Sequence, residues 1–144
     1  MRCRAVRRFR RQLGRRGIIL SCFGFIWTLI GYGQLVTPQP DQRGLKVLLA
    51  VMPLNVWGWC WIVAGVTALL CAWAPPGRDT AGFVSLVLIV MPWMATYLAA
   101  WLLGAYPRGW VAAAIWAALV VTILVVAGWP EPARQKRADP PYEC

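Results

Sequence analysis

The chain contains no histidine, and acids are scarce: five Asp and Glu face fifteen Lys and Arg, a net charge of +10 in 144 residues. The missing imidazole excludes histidine general bases, the usual zinc and haem ligand sets and histidine-containing triads. Charged residues make up 14% of the chain, against about 25% in a typical globular domain. Apolar residues make up 60%, against roughly 45–50%. That balance excludes a water-soluble domain with an ordinary surface. The five cysteines include no C-x-x-C pair, which removes thioredoxin-like redox chemistry and cysteine metal sites. Cys3 and Cys144 lie at the two ends, Cys22, Cys60 and Cys71 within apolar runs, and burial as small apolar side chains is their expected state.

Charge is absent over long stretches: Gly17 to Val36, Val47 to Gly77, Thr80 to Pro107 and Gly109 to Pro130. A bilayer core needs about 20 helical residues, and each run reaches that length. None has the polar residue per turn of a soluble amphipathic helix, nor the alternation of a barrel strand. Four transmembrane helices are therefore predicted, over about 17–36, 54–73, 80–103 and 108–128, in an all-α integral membrane fold. Proline clusters at Pro38-Gln39-Pro40, Pro75-Pro76, Tyr106-Pro107 and Trp129-Pro130 mark helix ends. Residues 45–53 are apolar but too short to cross, so a short interfacial or re-entrant helix leading into span two is expected there. A long, kinked second span starting near Leu45 is the alternative.

The cations are unevenly placed. Arg2, Arg4, Arg7, Arg8, Arg10, Arg11, Arg15 and Arg16 form a basic arm over 1–16, Arg78 lies between spans two and three, and Arg134, Lys136 and Arg137 lie in a polar, proline-rich tail over 129–144. With four spans these twelve cations share one side, against Arg43, Lys46 and Arg108 on the other. The positive-inside rule then places both termini in the cytoplasm. The arm and Arg78 are expected to set topology and to meet anionic lipid headgroups. Arg7-Arg8-Phe9 and Ile19-Leu20-Ser21-Cys22 superficially resemble export signals. The former leads into a full-length span, and the latter lacks an apolar stretch of sufficient length. Nucleic acid is not an expected partner, because no fold is available around the arginines to read bases.

The spans contain no ionisable side chain of the kind that marks proton relays or voltage sensors, and no phosphate-binding glycine loop. No catalytic, cofactor or metal residue is expected. The mild polarity of Ser21, Thr28, Tyr32, Gln34, Asn55, Thr67, Ser85, Thr96, Tyr97 and Thr122 is enough for weak interhelical bonds only. Small residues spaced four apart predict close helix packing: Gly24 and Thr28, Ala64 and Ala68, Ala95 and Ala99, Ala113 and Ala117. Such rows serve packing within one bundle or between copies. Trp57, Trp59, Trp73, Trp101, Trp110 and Trp129 are placed as interfacial anchors, with Trp61 about a turn deeper. Trp27, Trp93 and Trp116 fall near mid-span, where packing against neighbouring helices is expected.

Arginine outnumbers lysine thirteen to two. With that bias, the segments Thr37-Pro-Gln-Pro-Asp-Gln-Arg-Gly44, Ala105-Tyr-Pro-Arg-Gly-Trp110 and Ala127-Gly-Trp-Pro-Glu-Pro132 resemble the connections of small four-span membrane proteins from phages of high-G+C Gram-positive bacteria. The resemblance covers most of the chain as a pattern and implies a holin-type role: accumulation in the host inner membrane, self-association and timed lesion formation. These spans depart from that pattern in lacking a clear amphipathic face. The other expected classes are an accessory or scaffold subunit that recruits a membrane partner through arm and tail and, last, a small-solute channel.

Overall fold

The computed structural model describes residues 2–37, 43–74 and 79–129, with backbone alone for 2–13 and 43. Arg78 and the tail over 130–144 lie outside the described residues. Among the described residues the chain is helical, without a strand: α1 (Arg2–Val36), a 3-10 turn (Arg43–Leu45), α2 (Lys46–Val51), α3 (Leu54–Cys71), α4 (Thr80–Leu102) and α5 (Gly109–Ala127). Four helical segments are long and apolar enough to cross a membrane: Gly14–Val36, Leu54–Cys71, Thr80–Leu102 and Gly109–Ala127. Many of their residues are Val and Ile, modest helix formers in water. In lipid a helix is enforced because every backbone group must find its partner within the segment.

Each boundary has a local cause. Pro53, at φ −65° and ψ 153°, precedes α3 and separates it from α2. Residues 45–53 therefore form no continuation of the second span but a 3-10 turn, a short helix and a break. Pro92 lies inside α4, where Thr96 Oγ1 donates to its carbonyl at 2.8 Å. The first span starts earlier than the expected Gly17, because helix resumes directly after a break at Gly14, where φ is 65° and ψ −179°.

Successive spans run in alternate directions. Gly24 and Gly31 of α1 meet Gly65 and Gly58 of α3, Gly82 at the start of α4 lies against Cys71 at the end of α3, and Gly109 opens α5 against Trp101 of α4. Contacts are densest between α1 and α3, then between α4 and α5 and between α3 and α4, while α1 touches α5 only lightly. The buried core includes Leu20, Trp27, Trp61, Leu86, Val90 and Ile123. The outside is richer still in large apolar groups: Phe25, Leu70, Leu88 and Ile115 are more than half exposed. An apolar exterior of this extent is costly in water and suits a hydrocarbon surround.

Candidate functional site

Each span contributes one tryptophan to a cluster between the helices. Trp61 of α3 is its centre, with ring centroids 5.4 Å from Trp27 of α1, 5.5 Å from Trp93 of α4 and 5.7 Å from Trp116 of α5. Trp93 and Trp116 lie 6.3 Å apart, and Phe23 meets Trp27 edge-on at 5.3 Å. In a hydrocarbon surround, burial alone drives little of an assembly of this kind. Dispersion and ring quadrupoles do, at about 0.5–1.5 kcal/mol for each well-oriented pair. The Trp27 indole donates to the Leu86 carbonyl at 3.2 Å. Trp61 and Trp93 keep buried N–H groups with no such partner, and their rings are near-perpendicular at 82°. Sequence reasoning put three of these rings at mid-span and the fourth about a turn deeper than the interfacial anchors. It did not bring them together, because all four have to share one angular phase about one axis.

The seam between α1 and α3 is made of glycine. A Cβ at Gly65 would sit 2.5 Å from the Gly24 carbonyl oxygen, and one at Gly31 2.5 Å from that of Gly58. No side chain larger than hydrogen fits without parting the helices. Gly24 and Thr28 lie in this seam, with Thr28 Oγ1 turned back to the Gly24 carbonyl at 2.8 Å. Ala64 and Ala68 are buried, as is Ala113, while Ala99 and Ala117 are half-buried and Ala95 is exposed. The matching seven-residue intervals Gly24–Gly31 and Gly58–Gly65 were the readable signal for this seam, and a search for four-residue intervals passes over them.

Polar side chains in the spans mostly serve their own helices. Thr67 and Thr122 each donate to the carbonyl four residues back at 2.8 Å, as Thr28 and Thr96 do. Ser85 donates at 2.8 Å to Gly82 and reaches Ala64 on α3 at 3.3 Å. Asn55 is exposed, and the buried Gln34 Oε1 has no hydrogen-bond partner.

The end of the bundle nearest the basic arm carries a charge pair. Arg16 Nε lies 3.0 Å from Asp79 Oδ2, with side-chain exposures of 16% and 9%, and the guanidinium sits 5.2 Å over the Phe83 ring. Nε lacks the alignment of a hydrogen bond, so the contact is Coulombic. Asp79 immediately precedes α4, where a carboxylate also favours the positive end of the helix dipole. Arg16 was expected at the headgroups with Arg15, which is exposed; instead it joins α1 to α4. The visible signal was an acid beside the start of a span, on the side of the arginines. For Arg2, Arg4, Arg7, Arg8, Arg10 and Arg11 only the helical backbone is described.

At the opposite end α2 folds back onto α4. Leu45 and Leu48 are buried, Gly44 lies against the Tyr97 ring, and the Trp57 indole donates to the Leu48 carbonyl at 3.4 Å. Trp57 is thus not an exposed anchor: α2 covers it and leaves it 7% exposed. Trp59, Trp73, Trp101, Trp110 and Trp129 are all more than 40% exposed. Trp57 and Trp61, one turn apart, face inward and Trp59 between them faces outward.

Among the described residues no three His, Cys, Asp or Glu side chains group as metal ligands. Compared with known proteins, the chain matches no protein-family model, no curated protein and no solved structure.

Proposed function

We propose that this chain is a non-enzymatic protein of the bacterial inner membrane that works by self-association, with holin-type permeabilisation as its specific role. It crosses four times with both termini in the cytoplasm, on the arginine-rich side. The single observation that carries this reading is where the chemistry sits. Indoles cluster at the centre of the four helices, and large apolar side chains line the exterior. A protein with a packed interior and an apolar outside acts through what it touches in the plane of the bilayer. Any water path then lies between copies rather than along one bundle, which ranks a small-solute channel last.

Induced expression in a bacterial host, with culture density and membrane potential followed together, tests the role. A timed, abrupt collapse of both supports permeabilisation. Steady growth with the protein retained in the membrane overturns it and leaves an accessory subunit that recruits a membrane partner. The break at Gly14, which sets the basic arm apart from the first span, favours that second reading.

A further inference from the structure

We infer that residues 2–13 form a surface helix of their own, laid along an anionic phospholipid face by a glycine-only bend at Gly14. The inference rests on the membrane reading above. Gly14 adopts φ 65° with ψ −179°, a backbone state essentially closed to residues with a Cβ. The helix on either side of it is otherwise continuous within Arg2–Val36. An unbroken helix would carry the arm about 18 Å away from the bilayer into water, at about 1.5 Å per residue. The bend removes that requirement and lets the arm turn parallel to the surface.

The order of residues on such a helix suits that surface. At about 100° per residue, Arg4, Arg7, Arg8 and Arg11 share one side and Val6, Phe9 and Leu13 the other, with Arg2 at the arm's start also on that second side and Cys3 and Arg10 between the two. Six arginines, four of them opposite three apolar groups, and no acid suit a helix at the level of headgroup phosphates, where the long stem of the terminal Arg2 can carry its charge out of the apolar side. Each cation near an anionic leaflet strengthens surface association roughly fivefold. The four together shift the arm between surface and water by roughly 10²–10³-fold. The arm also starts at the first turn of a span, so its distance from the lipid is set by the bend.

The test uses the full chain in nanodiscs, with Cys22, Cys60, Cys71 and Cys144 replaced by Ala and an environment-sensitive dye on Cys3. In discs rich in phosphatidylglycerol the dye is expected at headgroup depth, accessible to a lipid-borne quencher and shielded from aqueous iodide. In phosphatidylcholine discs or high salt the shielding should fall at least severalfold. Gly14→Ala, which favours a straight helix, should move the dye into water in both lipids. Replacement of Arg2, Arg4, Arg7, Arg8, Arg10 and Arg11 by Gln leaves the bundle untouched and should remove most of the lipid dependence. Equal aqueous exposure in both lipids, unchanged by either variant, overturns the proposal, and so does a dye that responds to an added oligonucleotide but not to phosphatidylglycerol. Flotation of the protein with lipid is scored separately. A chain that floats with its dye in water refutes the arm alone, whereas one that does not float refutes the membrane reading itself.

Discussion

Asp79→Asn leaves Arg16 facing a neutral partner in a place where it is only 16% exposed. Breaking a buried ion pair costs about 3–5 kcal/mol, and the lower end applies because the long arginine stem can still lift its head toward water. Thermal denaturation in detergent should show that loss, and an Arg16→Met, Asp79→Leu double variant should recover most of it. A double variant no better than the single one would mean that the pair contributes nothing specific. At the glycine seam, Gly65→Ala places a methyl group 2.5 Å from the Gly24 oxygen and should cost about 1–3 kcal/mol, by pushing α1 and α3 apart. Gly33→Ala is the internal comparison: a Cβ there meets nothing within 4 Å, so the same assay should register no loss. The rows of Ala and Gly were legible as small, but which glycine faces which is a property of two helices.

At the level of elements, the four long helices follow from hydropathy alone, since lipid leaves an apolar segment no other way to satisfy its backbone. The short helix α2 does not follow in that way. Lys46–Val51 is too short to be stable by itself, and it is held by Leu45 and Leu48 against α4 and by the Trp57 indole. Trp57→Phe keeps an aromatic ring but removes the bond to the Leu48 carbonyl and part of the buried indole's packing, a loss of at least about 1 kcal/mol. Hydrogen exchange of the amides over 46–51 should then speed up severalfold while α3 keeps its protection. Unchanged exchange would assign the docking of α2 to Leu45 and Leu48 alone. The burial of Trp57 was hidden for the same reason. Its neighbours at 58–60 read as an interfacial stretch, and only the return of the chain after Gly44 covers it.

For the whole molecule, four crossings would put both ends on one side, and the positive-inside rule applied to twelve cations against three predicts that side to be the cytoplasm. Reporter fusions should therefore be active on the cytoplasmic side at both ends. An external C-terminus, with the N-terminus inside, would require an odd count and overturn the four-span topology. Arg16 weakens the bias slightly, because Asp79 offsets its charge within the bundle. The remaining cations still outnumber those of the opposite side by a wide margin. Among the described residues the same distribution leaves the outer surface of the bundle without a charged edge along its length, because the charge is gathered at the helix ends.

Composition and the order of charge along the chain determined the number of spans, their approximate limits and the expected orientation, because hydropathy and the cost of a charge in lipid are properties of one segment at a time. The glycine seam, the four-tryptophan centre and the Arg16–Asp79 pair were decided only by tertiary structure. A soluble helix shows its buried face as an apolar stripe, but a helix apolar on every side shows none, so its rotation about its own axis is invisible until its neighbours are in place. Once Gly24 and Gly31 bring α1 onto Gly65 and Gly58, that rotation is set. Trp27 and Trp61 then point into one space, and Arg16 is carried to the start of α4.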